Sequence, residues 1–170
     1  MRILHDKTGA AAVEFAVVAP VILLLLLGCL AVFDMYRSNA RLEQASLIVA
    51  DMVSRETALD GGYAKRLYAV FGELSETTNV PNALRLTSIA NREGRYTADW
   101  SVQMGRADLL APAGLYLDEI PALSDQDSVI LIETGTIYTM LSSIFGVETV
   151  HFHNRKFIRP RFINATVFSG

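Results

Sequence analysis

The 170-residue chain carries 15 lysines and arginines against 18 aspartates and glutamates, a formal charge of −3, and 51% of its residues are hydrophobic. That length suffices for one membrane helix and one compact domain, and the acidic balance excludes a dedicated nucleic-acid binder, which carries a strongly basic domain. The single cysteine, Cys29, excludes an intrachain disulfide, so an exported domain must be held by its own core.

The first element is an apolar run from Phe15 to Phe33 with no charged residue and one helix breaker, Pro20. At 1.5 Å per residue such a helix spans roughly 28 Å, close to the ~30 Å hydrocarbon core of a bilayer. A cleaved secretory signal would have a shorter apolar region with a small-residue cleavage site after it. The run ends instead in CLAVFDMYRSNARLEQA, without an A-x-A motif, so a retained membrane helix is expected. Arg2 and Lys7 on one side and Arg37 and Arg41 on the other nearly tie, and the positive-inside rule decides little. The short tail is expected to stay cytoplasmic, with the C-terminal body outside.

Beyond the membrane the helix is expected to continue. Leu42, Ala45, Val49, Met52 and Val53 share one face, which predicts one long helix from about Ala11 to about Thr57, ended by Asp60-Gly61-Gly62. Tyr63, Leu67, Val70, Phe71 and Leu74 mark a second amphipathic helix, and residues 79–82 a loop. ALRLTSIA (83–90) and TADWSVQM (97–104) read as strands joined through Asn91–Gly94, with Ala98, Trp100, Val102 and Met104 on one face. Residues 106–128, with two prolines and several acids, read as a long surface excursion. SVILIETGTIYTM (128–140) predicts a central strand, and 149–161, with Pro160, a closing edge strand. The fold class is therefore α+β: a long helix packed on a small antiparallel sheet of about four strands.

The stretch GAAAVEFAVVAP with the leucine run behind it (residues 9–28), then the amphipathic helix containing ADMVSRE, resembles the TadE/TadG-like pseudopilins of the tight-adherence (Flp) pilus machinery. SVILIETGTIYTM and the basic end HNRKFIRPRF fit the same resemblance more loosely. The resemblance implies cleavage by a prepilin peptidase between Gly9 and Ala10, ahead of Glu14 and Phe15. It divides the chain into a leader (1–9), a transmembrane helix (10–33) and a periplasmic pilin-like domain (34–170), anchored by a single pass in a bacterial inner membrane. Cleavage would remove Arg2, Asp6 and Lys7 and create an amine on Ala10. Glu14, fifth from that amine, is then expected to pair with a neighbour's N-terminus, which satisfies two costly charges and fixes register. Pro20 is expected to loosen the helix for extraction into an assembly.

Expected partners are the peptidase, sister pilins or pseudopilins, inner-membrane pilus assembly proteins and lipid, with neither nucleic acid nor a small-molecule substrate. Major pilins of the system are shorter and usually carry Glu-Tyr, so a domain of this size implies a minor component. The alternative is an uncleaved single-pass anchor holding a periplasmic sensor or accessory binding domain.

Other clusters carry weaker signals. His151 and His153 share a strand face at a zinc-capable spacing but lack an evident third ligand. Asp125-x-Asp127 begins like a calcium loop, yet Ile130 and Thr136 stand where an EF-hand needs glycine and glutamate. Asp118 and Glu119 extend this into an acidic patch whose ordinary reading is a solvated loop. With no phosphate-binding loop and no nucleophile signature, neither an enzyme nor a cofactor or metal is expected. Arg155, Lys156, Arg159 and Arg161 form the densest basic cluster, either a charged edge that discourages pairing or a docking patch for acidic surfaces or headgroups.

Overall fold

The computed structural model describes residues 7–77, 79–114, 116–139 and 149–169. Positions 1–6 of the expected leader, including Arg2 and Asp6, lie outside the described residues, as does the end of the predicted central strand at Met140. The chain divides into two compact units, Met1–Arg37 and Ser38–Gly170.

The first unit holds the N-terminal part of helix α1 (Lys7–Ser54), which passes through Pro20 without interruption. Proline has no amide hydrogen, so the carbonyl of Ala16 loses its helical donor there. Every large apolar side chain from Val13 to Phe33 is at least 47% exposed. In water such a surface would be a liability; its continuity and length suit lipid or other apolar helices.

The second unit is an α+β sandwich. A four-stranded antiparallel sheet has the order β3-β2-β4-β5, formed by β2 (Asn82–Arg92), β3 (Arg95–Gly105), β4 (Ser128–Tyr138) and β5 (Val150–Ile158). On its inner face, residues 38–54 of α1 and helix α2 (Gly61–Leu74) bury Leu42, Val49, Val53, Leu67 and Phe71 against Leu84, Leu86, Ile130 and Ile132. Each such side chain contributes about 1.5–3 kcal/mol by leaving water. Ser46 Oγ adds a polar tie to Thr134 Oγ1 at 2.8 Å.

α1 stops at Ser54, three residues before the predicted end, and Asp60-Gly61-Gly62 does not terminate it. Ala58–Asp60 is instead a short strand, β1, parallel to β6 (Val167–Ser169). Asp60 is the N-cap of α2, its carboxylate accepting from the Tyr63 amide at 2.5 Å. The pair of glycines therefore opens a helix, because the cap satisfies an amide that α2 would otherwise leave bare. On α2, Leu67 and Phe71 are buried as the periodicity predicts, while Leu74 is 39% exposed and Ala64 and Gly72 are buried in addition.

Asn82, predicted as loop, already belongs to β2. The β2–β3 hairpin turns on Glu93 and Gly94, both at positive φ (55° and 79°), the two-residue geometry that follows the twist of the strands. A bulge at Asp99 breaks the predicted alternation of β3: Trp100 faces Ser88 and Ala98 faces Ile89, so Asp99 falls between pairs and Ala98 is exposed. Trp100, Val102 and Met104 still pack on the inner core.

Residues 106–127 do more than cross the surface. After a 3-10 turn at Ala107–Leu109, this segment covers the outer sheet face, burying Leu109, Leu110 and Leu123. Gly135 is required below it, because a Cβ there would lie 2.1 Å from the Leu109 carbonyl oxygen. The C-terminal tail closes the base: the Arg161 amide donates to Ser54 O, Ser128 N–H and Oγ–H to Asn164 O, and the Trp100 indole to Thr166 O.

Candidate functional site

The expected processing motif lies at the beginning of α1. Gly9 is helical and exposed, with open space where a side chain would stand. Ala10 is helical too, and Glu14 and Phe15 stand on the exposed surface beyond it, Phe15 at 73%. No described side chain pairs with the Glu14 carboxylate, which leaves it for water, headgroups or another chain. The side chain of the expected partner amine's residue, Ala10, is not among those described.

The basic cluster is divided by strand alternation. Arg155 and Lys156 are consecutive on β5 and so face opposite sides of the sheet. On the outer side, Arg155 pairs with Glu119 and lays its guanidinium 3.7 Å from the centre of the Tyr116 ring. On the inner side, Lys156 pairs with Glu43 of α1. Arg159 donates to the Ala122 carbonyl, and Arg161 pairs with Asp51. The four residues thus hold the covering segment, α1 and the tail to the sheet, rather than sharing one face.

The most elaborate polar site is one that no sequence motif marks. Arg85 on β2 and Glu133 on β4 stand opposite each other, with side chains only 7% and 5% exposed. Arg85 donates to both carboxylate oxygens, at 2.6 and 2.8 Å, and to Ala111 O at 2.8 Å. The Tyr116 hydroxyl lies 3.1 Å from Glu133 and 3.0 Å from Pro112 O. Hydrogen bonding to Glu133 holds the Arg85 guanidinium above its ordinary range, and burial, then the Glu133 charge, pushes the Tyr116 hydroxyl up. The available clue is one charge of each sign inside two otherwise uncharged strands, ALRLTSIA and SVILIETG. This arrangement fastens the covering segment to the outer face of the sheet.

His151 and His153 stack on an exposed face of β5 with ring centroids 6.5 Å apart. Among the described residues no group of three or more histidine, cysteine or acidic side chains is arranged to hold a metal. Asp125 and Asp127 serve the adjoining hairpin: Asp125 accepts from the Glu93 amide at 2.7 Å, and the Asp127 carbonyl from the Asn91 amide at 2.9 Å.

One exposed apolar helix long enough to cross a membrane, followed in the chain by an α+β domain, fits a single-pass membrane protein. The family model for TadE-like proteins matches residues 9–51, from Gly9 into the part of α1 that packs in the inner core of the second unit. The N-terminal motif points to the same family. No curated protein and no solved structure matches the chain.

Proposed function

We propose that the chain is a minor pseudopilin of a tight-adherence pilus machinery. A prepilin peptidase cuts it between Gly9 and Ala10, and its helix then packs with sister subunits and inner-membrane assembly proteins. The N-terminus faces the cytoplasm and the domain the periplasm, and the role is assembly without catalysis. The observation that carries this reading is Gly9-x4-Glu14-Phe15 at the head of the exposed apolar helix, inside the segment matched by the TadE-like model.

Glu14 supplies the mechanism. A carboxylate at the hydrocarbon boundary is costly unless partnered, and a new amine on a neighbour's Ala10 is the natural counter-charge. Such a pair sets axial register because each chain has one of each group. The exposed side chains around it supply contact area once two helices meet.

The test is Glu14→Ala beside Glu14→Gln in cells that carry the cognate peptidase and sister subunits, with processing and co-purification of the sister subunits measured separately. Both variants are expected to be processed yet to lose most of their associated subunits. Wild-type association of Glu14→Ala would remove the assigned role.

A further inference from the structure

We infer that the outer edge of β3, from Trp100 to Gly105, receives strand β5 of a second copy of this chain, running antiparallel. Among the described residues the sheet has two unpaired edges, β3 and β5, and they differ in how they resist pairing. On β5, Arg155 and the inward-facing Lys156, held within the chain by Glu119 and Glu43, oppose a second β5, whose like charges they would meet, but not an uncharged strand. On β3, the bulge lies at Asp99, and the stretch beyond it, WSVQMG, has no charge, no proline and an unbroken register with β2. Among the described residues, no backbone group pairs with that edge. Its inner row, Trp100, Val102 and Met104, is only half-buried, so a further strand would complete its cover.

Strand direction selects the occupant. The sheet is antiparallel throughout, so β3 and β5, at its two ends, run in opposite senses. A copy displaced sideways therefore brings its β5 against β3 already antiparallel. Pairing β3 with β3 of a second copy would instead need a twofold axis, which reverses residues 38–54 of α1. Copies that enter from one membrane share that chain direction, and here the inference rests on the membrane-anchored reading. The result is a head-to-tail contact.

Continuing the existing cross-strand rows gives the register. Gln103, Arg85, Glu133 and Arg155 form one row, and Trp100, Ser88, Ile130 and Ile158 another. Extended by a second copy, Gln103 meets Arg155, Trp100 meets Ile158, and Val102 meets the stem of Lys156. No like charges stand opposite each other over these residues, a condition that cross-strand pairing requires.

The test uses full-length chains in carbonate-washed membranes, with Cys29→Ser as background and two differently tagged variants, Gln103→Cys and His153→Cys. Both positions are exposed, and the register makes them diagonal neighbours, within reach of a thiol cross-linker of roughly 8 Å. Trp100 fluorescence verifies that each variant is folded. The expected product joins Gln103→Cys to His153→Cys, while each variant alone stays uncross-linked. A Gln103→Cys homodimer, a link only to a different protein, or no product would each overturn the inference. Loss of the chain from the washed membranes would instead overturn the anchored reading.

Discussion

Removing the Glu133 carboxylate should damage the domain more than removing the whole ion pair. Both side chains are almost completely shielded and joined by two short hydrogen bonds. Glu133→Ala leaves the Arg85 guanidinium buried with the Ala111 carbonyl as its remaining partner. Breaking a buried pair in this way costs about 3–5 kcal/mol. In a unit of roughly 130 residues that corresponds to a fall in Tm of roughly 10–20 °C. Arg85→Met combined with Glu133→Leu removes both charges. Tyr116 keeps the Pro112 carbonyl as acceptor, and only Ala111 O loses its donor, a cost of about 1–3 kcal/mol. Thermal unfolding monitored through Trp100, the single tryptophan, reads the second unit alone. A loss below about 1 kcal/mol for Glu133→Ala, or a double variant as unstable as the single, would refute this reasoning.

Three further outcomes are expected. Gly135→Ala drives a methyl into the Leu109 carbonyl and should cost at least about 2 kcal/mol, with faster proteolysis between residues 106 and 127 as the readout. Asp60→Ala removes the cap of α2 and should lower stability by about 1 kcal/mol in the same fluorescence melt. Tyr116 is held protonated by burial and by Glu133, so its contribution is complete below pH ~10, the ordinary tyrosine value, and is lost as pH rises through the raised value. Alkaline titration should therefore show a steeper loss of stability in wild type than in Tyr116→Phe.

The legible parts of the fold have regular patterns. Leu42, Ala45, Val49 and Val53 repeat at helical spacing and all reach the core. The β-branched run from Val129 becomes a strand buried on both faces. Patterns fail where burial comes from an irregular segment: Leu109, Leu110, Tyr116, Ile120 and Leu123 have no common period, yet they cover the outer face. That cover explains why Arg85, on the polar side of an alternating strand, is buried. β1 and β6, three residues each, are too short to carry a signal, and their parallel pairing depends on a contact over 100 residues away. Of the candidate site, Gly9, Glu14 and Phe15 stand out through local spacing alone, and they fall within the segment that the TadE-like model matches. The basic residues cannot, since their counter-charges Glu43, Asp51 and Glu119 meet them only after folding.

The proposed function makes this chain a prepilin-peptidase substrate that becomes an assembly subunit. Its most direct test is the intact mass of the membrane-extracted protein, expressed with and without the cognate peptidase. Peptidase-dependent loss of Met1–Gly9, leaving Ala10 as the first residue, is expected. A chain that runs from Met1 to Gly170 in both samples would contradict it.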